Sequence, residues 1–356
     1  MWPDRRLCDL FGIEHPIIQA PMLGTCTPAL ASAVSNAGAL GSLGCAEKPP
    51  ATVRSEVEAI GERTNRSFNL NFFIRDVPRT DPDVLERTRE RLHPWYRDLG
   101  LGDPPAELPE LGAGFDDTRL ELVLELRPKV VSFHFGHPDR RAVDALKSAG
   151  ITLISTATCV AEARALEAAG MDAVIAQGWE AGGHRGSHVP TAPMDGVGTM
   201  ALVPQIVDAV AVPVIAAGGI GDGRGIAAAL ALGASGAQIG TAFLACPEAA
   251  TDPARRERLR RSTDRDTIVT DAISGRCARA VRSRYAEEME RNREPLPAFL
   301  QMPALSGPIL AAADDGDASF FLYGQAAALA KEMPAARIVE SLVEETQAAL
   351  TRLGSR

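Results

Sequence analysis

Eight short apolar runs, each followed by residues with helical spacing, constrain this chain more than any other feature. The runs lie at residues 16–20, 39–43, 68–73, 130–135, 152–156, 173–176, 214–217 and 237–244. Apolar strands alternating with amphipathic helices are what a parallel sheet needs, because each crossover returns the chain through a helix. Helical patterns occupy 28–36, 140–148, 160–168, 201–209 and 224–232. Gly38, Gly150, Gly170 and Gly233 follow four of them, where a left-handed residue ends a helix. Eight strands close a (β/α)8 TIM barrel. The alternative, an open doubly wound sheet, calls for a G-x-G-x-x-G turn near the first strand, and Pro21-Met22-Leu23-Gly24 stands there instead.

Two stretches break the repeat. Residues 75 to 117 are rich in proline and charge, and the chain after Pro247 reads as helices interrupted at Pro295, Pro297, Pro303 and Pro308. The expected organisation is a barrel over residues 1–246 with a lid-like insertion at about 75–117, and a C-terminal helical cap over 247–356.

Composition narrows the partners. With 46% hydrophobic and 23% charged residues the chain can bury a large core. A formal net charge of −9 and no basic run argue against a nucleic-acid surface. Six cysteines lie far apart with no C-x-x-C pair, which fits reduced cytoplasmic thiols. Neither a signal peptide nor a membrane span is expected.

The glycines of Ala217-Gly218-Gly219-Ile220-Gly221 follow the seventh run, and Gly240-Thr241 interrupts the eighth. In this barrel those two loops hold a phosphate, because glycine lets backbone N–H groups reach an anion and a helix N-terminus adds partial positive charge. Tight turns alone are the bland alternative. His184, in Glu180-Ala181-Gly182-Gly183-His184-Arg185-Gly186, follows the sixth run on the catalytic face and is a general-base candidate. His188 lies four residues on, but the glycines between argue against a helical metal pair, and no metal is expected. His134 ends the fourth run on the opposite face from Phe133 and Phe135; it is either a satisfied core histidine or a pocket residue. Asn71, near the end of the third run, can both donate and accept at a flavin edge.

Four segments resemble the nitronate monooxygenases (2-nitropropane dioxygenases), specifically their larger class. They are His15-Pro16-Ile17-Ile18-Gln19-Ala20-Pro21-Met22, Ser132-Phe133-His134-Phe135-Gly136, Gln177 through Gly186, and Gln238-Ile239-Gly240-Thr241-Ala242-Phe243-Leu244. Ser274-Gly275-Arg276 and Leu322-Tyr323-Gly324-Gln325 extend the likeness. The resemblance implies non-covalent FMN held by Met22, Asn71, Gln177, Gly182, Gly183, Gly218, Gly219, Gly240 and Thr241, with Gln325 from the cap. It implies that His184 positions the substrate or takes a proton from the carbon beside a nitro group, with His134, Tyr323 and Lys331 lining the pocket. The implied reaction uses O2 to convert a small anionic alkyl nitronate, such as propionate 3-nitronate, to a carbonyl compound and nitrite. A monomer or homodimer without nucleic-acid or membrane partners is expected. His184, Arg185 and Lys331 are the candidate positive charges, Arg185 being equally readable as structural. The rival readings are an FMN-dependent NAD(P)H reductase of quinones or enoyl thioesters on the same fold, and a non-catalytic flavin-binding barrel.

Overall fold

The computed structural model describes residues 2–189, 195–314 and 316–354. Its strands, in chain order, are β1 (Ile17–Gln19), β2 (Gly41–Gly44), β3 (Phe68–Phe73), β4 (Val130–His134), β5 (Thr152–Ala157), β6 (Ala173–Gln177), β7 (Gly183–His184), β8 (Val214–Ala217), β9 (Gly236–Ile239), β10 (Thr267–Thr270) and β11 (Ala278–Val281). Eight of them form one parallel sheet in the order β1-β9-β8-β6-β5-β4-β3-β2. The ring closes at Leu40, whose N–H donates to the Ile17 carbonyl and whose carbonyl accepts from Gln19 N–H, both at 2.9 Å. This is the (β/α)8 barrel that the eight runs imply.

Period-two alternation sorts the strand side chains. In β3, Leu70 and Phe72 join the core under the helices, while buried Asn69 and Asn71 form a polar band with Ser42 and Ser132. Asn69 Nδ2 donates to Ser42 Oγ (3.1 Å) and Ser132 Oγ (2.9 Å), and Asn71 Nδ2 to Ser132 Oγ (2.9 Å). A separate apolar cluster unites Ile18, Leu40, Val130, Ile154, Ile175 and Ile215 with Leu7 and Phe11 of the helix Arg6–Phe11, which plugs the opening where the strands begin. Apolar filling at the bottom leaves polar side chains toward the C-terminal strand ends, where barrels of this kind place their chemistry.

The helix Ala335–Gly354 packs against Gly223–Ala231 and Pro28–Asn36, so the last segment of the chain completes the ring of helices. Ile338, Val339 and Leu342 enter the main core. The approach requires glycine at 223, where a Cβ would lie 2.3 Å from Thr346 N.

The insertion and the cap share a second core. Leu92, Trp95 and Tyr96 of the helix Pro82–Asp98 pack with Ile273, Tyr285, Met289, Met302, Leu305 and Ile309. Tyr96 donates its hydroxyl to Leu305 O (2.7 Å), and Trp95 Nε1 donates to Glu288 (3.1 Å). The cap is not helical throughout: β10 and β11 form an antiparallel pair to which β7 adds a third strand. That small sheet ties the segment carrying His184 to the cap.

Candidate active site

His184 is clamped before its ring is considered. Ala278 pairs with it across β7 and β11, and Arg185 N–H donates to Cys277 O at 2.8 Å. Its carbonyl accepts from Gln177 Nε2 (2.9 Å), at the end of β6, and lies 3.0 Å from His134 Nε2, at the end of β4. A carbonyl can only accept, so His134 carries its proton on Nε2, and its Nδ1 accepts from Thr156 Oγ1 at 3.0 Å. His134 is therefore a tied neutral imidazole. Burial pushes its pKa down to about 4, with the Arg276 and Arg185 charges acting in the same direction.

The His184 ring rests in an aromatic pocket. Phe299 lies 5.1 Å and Phe135 6.1 Å from it, centroid to centroid, both edge-on. Its Nε2 is 2.8 Å from Ser274 Oγ. Its Nδ1 takes no partner among the described residues and, unlike both ring nitrogens of His188, is not sealed from solvent. Burial, then nearby His134 and the Arg276 charge, push the His184 pKa down to about 3, well below neutrality. The imidazole is neutral at pH 7.

Arg276 supplies the pocket's charge. Its guanidinium carbon sits 3.8 Å from the Phe135 ring centroid, and Nη2 donates to Ser187 O. It forms no ion pair with any carboxylate among the described residues. Burial lowers its pKa to about 10, which leaves it charged at neutral pH. Phe135 holds a backbone φ of 73°, a conformation unusual for a bulky residue and costing about 1–3 kcal/mol. That turn directs its ring beneath Arg276. Sequence reasoning gave no role to Phe135, Phe299 or the charge of Arg276; Phe135 stood within the Ser132–Gly136 segment and Arg276 within Ser274-Gly275-Arg276, while nothing local marked Phe299.

The other candidate charges are engaged elsewhere. Arg185 Nη1 donates to the carbonyls of Gln177 and Gly178, both at 3.1 Å, and its guanidinium lies over Trp179. Lys331 pairs with Glu345 at 2.5 Å, half exposed, beside Gly221 and Ala242 rather than the His184 cluster. Tyr323 is buried with Phe321 and Leu244, accepting from Ser262 Oγ at 2.9 Å, while its backbone covers Gly182. His188 is held through its backbone N–H by Glu162 (2.6 Å). Burial works against ionisation of that carboxyl, but hydrogen bonds from Thr158, His188 and Val189 keep its pKa below the usual range. No group of three His, Cys, Asp or Glu side chains able to hold a metal occurs among the described residues.

The two glycine loops leave backbone N–H groups free. Gly218 (φ 107°) and Gly219 (φ 71°) follow β8, and Gly240-Thr241 follows β9. The backbone N–H groups of these four donate to no acceptor among the described residues. Thr241 Oγ1 accepts from Gly324 N–H (2.9 Å), leaving its own proton to give. Met22 Sδ lies 3.7 Å from where a Gly240 Cβ would stand, Asn71 is held on Ser132, Gly183 is open (φ 80°), and exposed Gln325 donates its N–H to Glu180 O at 3.0 Å. Gln238 Oε1, on β9, is buried without a donor among the described residues.

Fold and site together define a class: a (β/α)8 barrel whose last two strands open onto glycine loops with free backbone N–H groups, and whose mouth holds a neutral imidazole and a guanidinium that meets no carboxylate among the described residues. The nitronate monooxygenase family model matches residues 4–345, and the chain belongs to that family. It is 43% identical to a nitronate monooxygenase of Paraburkholderia phytofirmans over 98% of this chain and 97% of that protein. It is 43% identical to a nitronate monooxygenase of Pseudomonas aeruginosa, covering 96% of this chain and 98% of that one. Among solved structures, a nitroalkane oxidase from Streptomyces ansochromogenes is 39% identical with a TM-score of 0.86, covering 98% of this chain and 99% of its own. FabK from Thermotoga maritima is 32% identical with a TM-score of 0.75, covering 100% and 99%.

Proposed function

We propose that this enzyme binds FMN and oxidises small anionic alkyl nitronates, two nitronates and one O2 giving two carbonyl compounds and two nitrites. The observation that carries this reading is Arg276, a guanidinium without a carboxylate partner among the described residues, packed on the same Phe135 and Phe299 rings as a neutral His184 whose Nδ1 takes no partner there. An uncompensated charge in a partly desolvated pocket favours an anion there. The N–H groups of Gly218, Gly219, Gly240 and Thr241 would hold the FMN phosphate, with Met22, Asn71, Gln177, Gly182, Gly183 and Gln325 bordering the flavin. Bound flavin supplies electron acceptance and the reaction with O2. The chain's own residues bind the anion at Arg276, exclude water with Phe135 and Phe299, and take a proton at His184 when the substrate arrives as a neutral nitroalkane. His134 holds His184 in place through its carbonyl. No disulfide forms among the described residues, which suits a reducing, cytoplasmic setting, and no described helix is long and apolar enough to cross a membrane.

The test is anaerobic mixing of flavin-loaded protein with propionate 3-nitronate in one cell and NADH in another. Bleaching by the nitronate alone supports the reading; bleaching by NADH alone makes the protein a nicotinamide-dependent reductase. The phosphate site has its own test. Alanine at Gly218 would carry about 1–3 kcal/mol of backbone strain, and its Cβ would lie 2.9 Å from Ala181 N. Gly218→Ala is expected to weaken FMN binding roughly tenfold or more in a fluorescence titration of apoprotein. Unchanged affinity would place the phosphate elsewhere.

A further inference from the structure

Ser274 presents a hydrogen-bonding constraint that the reaction does not by itself require. Its hydroxyl has one proton to give. That proton is directed at the Arg276 carbonyl, 3.2 Å away, and this carbonyl accepts no other hydrogen bond among the described residues. The Ser274 Oγ itself lies 2.8 Å from His184 Nε2. With the hydroxyl proton on the carbonyl, the short contact to the ring requires Nε2 to donate. The opposite arrangement, Ser274 donating to Nε2, strands the Arg276 carbonyl and puts the ring proton on Nδ1, where it would oppose a basic role. An unmet carbonyl is the costlier outcome.

Both sides of this contact are fixed by main-chain geometry. Gly275 has φ 79°, and a Cβ on it would meet Pro297 O at 2.3 Å, so the Ser274-Gly275-Arg276 turn admits glycine alone at its centre. Gly275 N–H donates to Asp271 O (2.8 Å), and Ser274 O accepts from Leu300 N–H (3.0 Å). On the other side, the His184 carbonyl is held by Gln177 and His134.

We propose that Ser274 is a positioning residue that locks the His184 imidazole in its Nε2–H tautomer and so leaves the Nδ1 lone pair toward the substrate. This deepens the reading of His184 as the proton acceptor and rests on it. In the step concerned, Nδ1 takes the proton from the carbon bearing the nitro group. The C–H electron pair becomes part of the nitronate, and the imidazolium keeps its Nε2–H on Ser274. The groups around the ring are His134, Arg276, Phe135 and Phe299, with His188 and Glu162 beyond Arg276; none of them offers Nε2 an alternative acceptor among the described residues.

The test uses 15N-histidine-labelled holoprotein and two-bond 1H–15N correlation spectra, with the His184 signals identified by their loss in His184→Asn. A pyrrole-type Nε2 and a pyridine-type Nδ1 are expected in the parent protein. Ser274→Ala should move both toward a tautomer mixture, and Ser274→Thr, which keeps the hydroxyl, should restore them. In parallel, Ser274→Ala should slow oxidation of a neutral nitroalkane about tenfold and leave a preformed nitronate within about twofold. A protonated Nδ1 in the parent, or spectra indifferent to Ser274→Ala in a folded protein, overturns the lock. A Ser274-dependent Nε2–H signal in a protein inactive on nitro compounds upholds the lock and removes only the functional reading.

Discussion

His184→Asn should go on oxidising a preformed nitronate while its rate on the neutral nitroalkane falls about 10²- to 10⁴-fold, the usual contribution of a positioned general base. The two substrates differ by one proton on carbon, so their ratio isolates the step assigned to the imidazole. No neighbour can take over. His134 has both ring nitrogens engaged, Nε2 with the His184 carbonyl and Nδ1 with Thr156, and both nitrogens of His188 are sealed from solvent. The amide of asparagine is not basic, and the loops proposed to hold the FMN phosphate follow β8 and β9, on other segments than this side chain, so bound flavin measured by absorbance should remain. The pH dependence follows from the direction of the shift. A histidine whose pKa falls from 6.5 to about 3 stays neutral on lowering the pH from 7 to 5. Base function should therefore persist over that interval, contrary to the near-neutral titration expected of an ordinary imidazole. Its weak basicity is offset during the step itself, because the nitronate forms beside Arg276 and neutralises the charge that had opposed protonation. Equal turnover of the neutral form by parent and variant would remove His184 from this role.

The barrel was legible because strand and helix periods are local. Residues 68–73 and 214–217 coincide with β3 and β8, and Gly38, Gly150, Gly170 and Gly233 all take positive φ after their helices. The last apolar run was read too long. β9 ends at Ile239; Ala242 and Phe243 are apolar because a short 3-10 turn buries them in the main core, and Leu244 because it packs with Phe321 and Tyr323 of the cap, not because they are extended. The strands of the cap were missed for a related reason. Thr267–Thr270 and Ala278–Val281 are four residues each, and β7 is two; pairing between distant segments, not periodicity, makes them strands. The eighth helix could not be placed either, since nothing local to Ala335–Gly354 says that it packs beside Pro28–Asn36. At the candidate site, the sequence marks His184 by its place after the sixth strand, and the structure puts it against Ser274, Phe135 and Phe299. The sign of a charge is visible in sequence, but its partner is not: Lys331 meets Glu345 fourteen residues on, Arg185 meets two carbonyls, and Arg276 meets an aromatic ring and no acid among the described residues.

Arg276→Met should divide the two substrate forms in the opposite sense to His184→Asn. Methionine is unbranched and can occupy the apolar space over Phe135, so the change removes mainly the charge and its donors. For a preformed nitronate the loss falls on binding. A hydrogen bond to a charged group is worth about 1.5–3 kcal/mol, so KM should rise roughly 10- to 150-fold. A neutral nitroalkane has no full charge to lose on binding, and its KM should change little. Negative charge develops on its nitro oxygens only as the proton leaves carbon, so here the loss should appear in kcat. The variant also lifts one of the influences depressing His184, whose pKa should move up from about 3 while burial and His134 still hold it below the ordinary value. That recovery of basicity is a smaller effect than the lost stabilisation of the nitronate, so the net kcat on the neutral form should still drop. Arg276→Lys, which restores a point charge without the planar fork, should recover part of the affinity for the anion. Parallel rises in KM for both substrate forms would show that Arg276 shapes the pocket and does not bind the charge; an unchanged KM for the nitronate would place the anion away from Phe135 altogether.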